Sequence, residues 1–364
     1  MELPHEMQVT QKSLRPFNQS ADGIVWYDAS AMDVEGRGWC DTSAPFDRLP
    51  SQAQGLVPDA LWLTSRCPSG LSLRFVTDAT HVSACWRVSD VQQPTHMSPT
   101  GMRGVDLYAR SPNGWRWVAT GLAGTRHENR RLLVKLEAQT EHEYLLYFPL
   151  FTPVEFLHIG TNPSARVRPA PAYPGEGAVC IYGTSLTQGA CASRPGMAYP
   201  AIVGRRLDRP VINLGFSGCG KMESVMAELL GEVDCAVYVL DCIPNMSLDQ
   251  VQSRVKPFVL KLRSLRPSTP IVLVDNPAYQ DAWFSPDSRR KSEERTAALQ
   301  AIYMELTQEG VPGLSVVPGD SLHGTDGESS VANHATDLGM SRYAEGVYAG
   351  VARALEGGDK AGGL

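Results

Sequence analysis

The chain has 364 residues, 43% of them hydrophobic and 20% charged, which describes an ordinary globular protein long enough for two domains. A net charge of -6 with no run of lysine and arginine argues against a nucleic-acid surface, and no apolar stretch is long enough to span a bilayer. Eight cysteines without a Cys-x-x-Cys pair are not a disulfide framework, and Met1-Glu2-Leu3-Pro4-His5-Glu6 shows no signal-peptide pattern, so a reduced, cytoplasmic setting is expected.

Residues 1–168 carry short alternating runs separated by Gly, Pro, Asn and Asp. Leu71-Ser72-Leu73-Arg74-Phe75-Val76, Ser83-Ala84-Cys85-Trp86-Arg87-Val88, Val105-Asp106-Leu107-Tyr108-Ala109 and Glu143-Tyr144-Leu145-Leu146-Tyr147-Phe148 are examples. Period-two patterning with aromatic and β-branched residues predicts an antiparallel β-sandwich. Four prolines between Pro163 and Gly175 then predict an extended connector and a domain boundary.

From 175 to 356 the period changes. Apolar strand runs at 178–182, 211–214, 235–240 and 271–274 alternate with helical patterns near 197–207, 221–231, 249–266, 288–309 and 335–355. Continuous apolar strands between helices predict a doubly wound, flavodoxin-like parallel sheet, with ligands bound beyond the carboxyl ends of its strands. The glycine-rich residues 357–364 read as a flexible tail.

Chemistry-bearing residues fall at those strand ends. Ser185 follows the first strand in Gly183-Thr184-Ser185; Gly218 follows the second, Asn245 the third, and His334 opens the last helix. Acyl transfer needs a nucleophile, a base and oxyanion donors. Ser185 can be the nucleophile and His334 the base, with the Ser185 and Gly218 amides and the Asn245 side chain as donors. Each has a plainer role: a tight βα turn for Ser185, a helix cap for Asn245, a surface position for His334. His323 is the nearby alternative base. Gly215 to Lys221 imitates a phosphate-binding loop, but Met222 stands where a magnesium-binding hydroxyl is required. No His/Asp/Glu cluster has metal-ligand spacing, so a cofactor-free, metal-free site is expected.

The four blocks in this order resemble those of the SGNH, or GDSL-type, hydrolases, whose name lists Ser, Gly, Asn and His. Residues 183–197 and Asp337-Leu338-Gly339-Met340 resemble a bacterial subgroup whose N-terminal β-domain carries Gly-x-Asp-Leu-Tyr, matched here by Gly104-Val105-Asp106-Leu107-Tyr108. The resemblance implies a serine esterase acting on short acyl, best acetyl, esters of small molecules such as carbohydrates. A non-catalytic carbohydrate-binding protein and an acyltransferase are the alternatives. One position departs: the aspartate usually found three residues before the histidine is Val331. A backbone carbonyl, or Asp320, Asp326 or Asp337, is then left to orient His334. Asp106 is read as fixing a turn.

Overall fold

The computed structural model describes residues 16–19, 23–90, 94–124, 127–324, 327, 329–331 and 334–359. In the first half, two antiparallel sheets face each other. One orders Asn18–Gln19, Val25–Asp28, Val154–Thr161, His81–Val88 and Glu128–Lys135; the other orders Val167–Pro169, Ser72–Thr77, His142–Tyr147, Val105–Ser111 and Gly114–Gly121, with Val34–Glu35 beside Ser72–Thr77. Along His81–Val88 the side chains of Val82, Ala84, Trp86 and Val88 are fully buried while Arg87 is exposed, the alternation that a strand with one core face requires. They meet Leu73, Phe75, Leu107 and Leu146 of the opposite sheet. Each such large apolar side chain contributes about 1.5–3 kcal/mol on burial.

The second half is a five-stranded parallel sheet. Its strands are β1 (Val179–Gly183), β2 (Val211–Gly215), β3 (Val237–Asp241), β4 (Ile271–Val274) and β5 (Leu314–Val317), in spatial order β2-β1-β3-β4-β5. The helices are α1 (Ser185–Gln188), α2 (Tyr199–Leu207), α3 (Ser224–Glu232), α4 (Leu248–Leu265), α5 (Pro286–Gln308) and α6 (Asp337–Asp359). This is the flavodoxin-like order, whose direction reverses at β1 and places a ligand crevice between β1 and β3. Strand β5 escapes the apolar-run reading: only Val317 of its four residues is buried, and Ser315 interrupts the run. Residues 357–359 continue α6, and 360–364 of the tail lie outside the described residues.

Two features tie the halves together. The proline-rich connector is strapped to the sandwich: Val167–Pro169 is a strand of the second sheet, Arg74 donates to the Pro171 carbonyl and lies 3.7 Å over the Tyr173 ring, and the Tyr173 hydroxyl donates to Glu35. Residues 39–67, early in the chain, pack on the α/β half. Trp39, Leu49, Leu61 and Trp62 share a core with Leu214, Phe216 and Met226. Arg48 among them is buried and donates to the carbonyls of Cys67, Asn213, Gly215 and Thr64. Burial lowers its pKa to about 10, so it stays cationic at neutral pH and those four carbonyls are satisfied.

Candidate active site

Register alone brings three of the predicted blocks together. Gly183 at the end of β1 pairs with Gly215 of β2 on one side and Asp241 of β3 on the other. The turns leaving these ends carry Ser185, Gly218 and Asn245 within a few residues. Gly183 is obligatory, since a Cβ there would stand 2.1 Å from Thr187 Oγ1 and 2.6 Å from the Asp241 carbonyl oxygen. Thr184 caps α1 by accepting from the Leu186 amide, which sets Ser185 on the helix's first residue, 7% exposed.

Ser185 Oγ lies 2.9 Å from His334 Nε2 across 149 positions of sequence. A hydroxyl and an imidazole nitrogen at that distance can pass a proton. His334 stands in a short hairpin, Ser330–Val331 against His334–Ala335, in which Val331 pairs with His334 itself. Helix α6 leaves directly afterwards, and Gly339 lets it approach: a Cβ at that position would be 2.0 Å from the Ser329 carbonyl oxygen. The glycine of the Asp-Leu-Gly-Met block is thus a close-packing residue beneath the histidine hairpin.

Gly218 takes φ +72°, a left-handed conformation that an L side chain adopts at a cost. The space in front of it is open, with nothing within 4 Å of where a Cβ would stand. Among the described residues neither the Ser185 nor the Gly218 amide has an intramolecular acceptor. Asn245 sits in a 3-10 turn and does not cap α4; Ser247 does that, in a reciprocal capping box with Gln250. One Asn245 Nδ2 hydrogen goes to the Cys219 carbonyl at 2.5 Å, which draws the Gly218 turn and the Asn245 turn together and leaves the second hydrogen for a ligand.

The candidate acids separate. Asp337 opens α6, where its carboxylate accepts from the Ser193 amide at 2.8 Å and the Ser193 hydroxyl at 2.5 Å. Asp320 is exposed in a 3-10 turn. Asp326, like Asn333 of the histidine block, lies outside the described residues. The alternative base His323 is half-buried edge-on to Tyr343, and desolvation followed by the Arg342 charge pushes it down to about 4. It is the Ser185 hydroxyl's contact with His334 that the fold assembles.

A buried carboxylate lies under the Ser185 turn. Asp241 accepts from Thr187 at 2.8 Å, Tyr199 at 2.8 Å and Tyr343 at 2.7 Å, stitching α1, α2 and α6 to the end of β3. Burial raises its pKa to about 6 against the lowering effect of those three hydroxyls. Its signal in the sequence is an acid ending an apolar strand, Val237-Tyr238-Val239-Leu240-Asp241.

The sandwich reaches this region too. Asp106 is fully buried; it accepts from Arg194 at 2.5 Å, the Gly196 amide, Trp117 and Thr120, so it fixes the loop after α1 rather than facing a ligand. Gln188, on α1, donates to the Leu150 carbonyl and accepts from the Ser217 amide. His96 brings its imidazole over His334, ring centroids 5.5 Å apart.

Comparison with known proteins gives the family and the fold. Residues 176–352 match the family model described as GDSL-like lipase/acylhydrolase, and residues 24–167 match one described as the N-terminus of the SGNH-type esterases. A solved chain from Bacteroides ovatus ATCC 8483, described as a GDSL-like lipase, is 30% identical with a TM-score of 0.86, over 92% of this chain and 98% of that one. A salicylyl-acyltransferase from a tetracycline biosynthetic pathway (15% identity, TM-score 0.69, 93% of each chain) shares the fold. So does a family two carbohydrate esterase from Clostridium thermocellum in complex with cellohexaose (15%, 0.55, 79% of this chain and 93% of that one). No curated protein sequence matches the chain.

Proposed function

From the premise that this chain belongs to the GDSL-like lipase/acylhydrolase family and is an ester hydrolase, we propose that it cleaves short acyl esters, best acetyl esters, through an acyl-enzyme on Ser185. The observation that carries the reading is the 2.9 Å contact of Ser185 Oγ with His334 Nε2, beside two amides that have no acceptor among the described residues. Ser185 attacks the ester carbonyl as His334 Nε2 takes its proton. The Ser185 and Gly218 amides and the remaining Asn245 hydrogen hold the tetrahedral oxyanion. His334 returns the proton to the leaving alcohol, and the C–O bond breaks. Water then attacks the acyl-enzyme with the same histidine as base, which releases the acid and restores the serine.

Acetylated carbohydrate is the proposed substrate class. The support is the fold shared with a carbohydrate esterase solved with a cello-oligosaccharide, together with a second domain beside the site able to bound a sugar-sized cleft. Eight free thiols support a reducing, cytoplasmic setting, and among the described residues no helix is long and apolar enough to cross a membrane. Hydrolysis of p-nitrophenyl acetate and of acetylated oligosaccharides tests the reading. Ser185→Ala should lower kcat/KM by about 10³-fold or more. A wild type as slow as that variant on every acyl and sugar ester would sink it. The acyltransferase reading is favoured by the fold shared with the salicylyl-acyltransferase over 93% of each chain; it requires added alcohol or sugar to divert the acyl group at the expense of hydrolysis.

A further inference from the structure

His96, Cys191 and His334 lie in three distant parts of the chain, which is why no ligand spacing marks them, yet they meet at one point. A ring nitrogen of each histidine and the Cys191 sulfur all lie within 4.8 Å of one another. The two imidazoles are stacked 23° from parallel, and Cys191 Sγ donates to the His96 carbonyl oxygen at 3.4 Å. Cys191 achieves this at φ +66°, a conformation uncommon for a residue with a side chain and one that tends to persist where a site needs it. His96 is exposed and the other two are partly so, so the cluster is open to solvent.

Two imidazoles and one thiol make an N₂S donor set, which suits a borderline-soft divalent cation such as zinc. Zinc takes nitrogen at about 2.0–2.1 Å and sulfur at about 2.3 Å in a tetrahedron, with water completing a three-ligand site. The inward adjustment falls on the exposed His96 side chain, which has room to turn. We propose that His96, Cys191 and His334 bind one zinc-class divalent cation, and that the bound ion switches the hydrolase off by occupying its base.

The switching part rests on the function proposed above. An ion on Nε2 of His334 takes the lone pair that would receive the Ser185 proton. An ion on Nδ1 forces the ring proton onto Nε2, with the same result. Binding is a ligand exchange: the thiol of Cys191 loses its proton to solvent as the Cys191–cation bond forms, and a water leaves the ion. Since His96 belongs to the sandwich, inhibition requires both halves of the chain in place.

The test uses the full chain, zinc chloride and a chromophoric chelator as competitor. One zinc per chain is expected, and Cys191→Ser and His96→Ala should each weaken binding by about tenfold or more. p-Nitrophenyl acetate hydrolysis should fall in step with occupancy and recover on adding excess chelator. Both variants should keep the metal-free rate, which also shows them folded, and should resist zinc. Cobalt in place of zinc should give a thiolate charge-transfer band that Cys191→Ser abolishes. Binding or inhibition unchanged in both variants would overturn the proposal, as would full occupancy of the wild type at an undiminished rate. The binding arm needs no catalysis, so a chain that binds zinc through these residues but hydrolyses nothing would sink the esterase reading and leave this site standing.

Discussion

Each half holds a carboxylate with no exposed surface, Asp106 in the sandwich and Asp241 in the α/β half, and the two are satisfied in opposite ways. Asp106 of the sandwich meets a cation, Arg194, together with the Gly196 amide, Trp117 and Thr120. Asp241 of the α/β half meets three hydroxyls and, among the described residues, no cation. The first arrangement fixes where one domain sits on the other, because an ion pair with matched donors tolerates little displacement. The second lies under the Ser185 turn, where neutral donors hold α1, α2 and α6 in place. On the function proposed above, the α/β half supplies the reacting groups and the sandwich holds the loop behind them.

The largest effect expected from this division is on rate. His334→Ala should lower kcat/KM for p-nitrophenyl acetate by about 10³-fold or more while leaving the thermal midpoint nearly unchanged. Asp106→Ala should do the reverse. It strips the half-buried Arg194 of its counter-charge and should cost about 3 kcal/mol in urea unfolding, with a smaller loss of rate through the loosened loop at 193–197. If the rate collapses at unchanged stability, the sandwich is part of the reacting site and the comparison fails.

Asp241 sharpens the contrast through pH. Its folded pKa of about 6 stands above the ordinary 3.8, so between those values the folded state binds the proton more tightly than the unfolded chain. Its contribution to stability is therefore greatest below the window, declines as pH rises through it, and is flat above about pH 6. Thermal midpoints measured from pH 4 to 7 should show a component of up to about 3 kcal/mol that Asp241→Asn removes. An unaltered pH profile in that variant would mean that the carboxyl does not titrate there. The smallest effect is at the rim of the Asp106 cluster: Thr120→Val, which deletes one of its donors, should cost about 1 kcal/mol by the same urea assay.

Sequence pattern revealed the layers because both periods are written in consecutive residues: the alternation of Val82, Ala84, Trp86 and Val88, and the nearly continuous apolar runs of β1 to β4. The site was legible to the same degree. Ser185, Gly218 and Asn245 are each tied to a strand end, so adjacent strands bring them together, and the order of blocks added His334. What stayed hidden depends on contacts between distant positions. The hydroxyls of Thr187, Tyr199 and Tyr343 carry no mark of a shared acceptor, and His96 and Cys191 are unremarkable until the sandwich docks. Strand β5, four residues long at the sheet edge with Ser315 inside it, offers no period to detect. The divide near residue 168 follows the chain but not the cores, since Trp39, Leu61 and Trp62 belong to the other half.

That early segment has a consequence for how the protein is made. During synthesis Arg48 leaves the ribosome 165 and 167 residues ahead of the β2 carbonyls that it must satisfy, at Asn213 and Gly215. At about 5–20 residues per second the interval is on the order of ten to thirty seconds. Throughout it, a cation and the apolar faces of Trp39, Leu61 and Trp62 wait without the sheet that covers them. The nascent chain cannot finish its first half before starting its second, and premature termination anywhere in between releases a fragment with an adhesive, unfinished face.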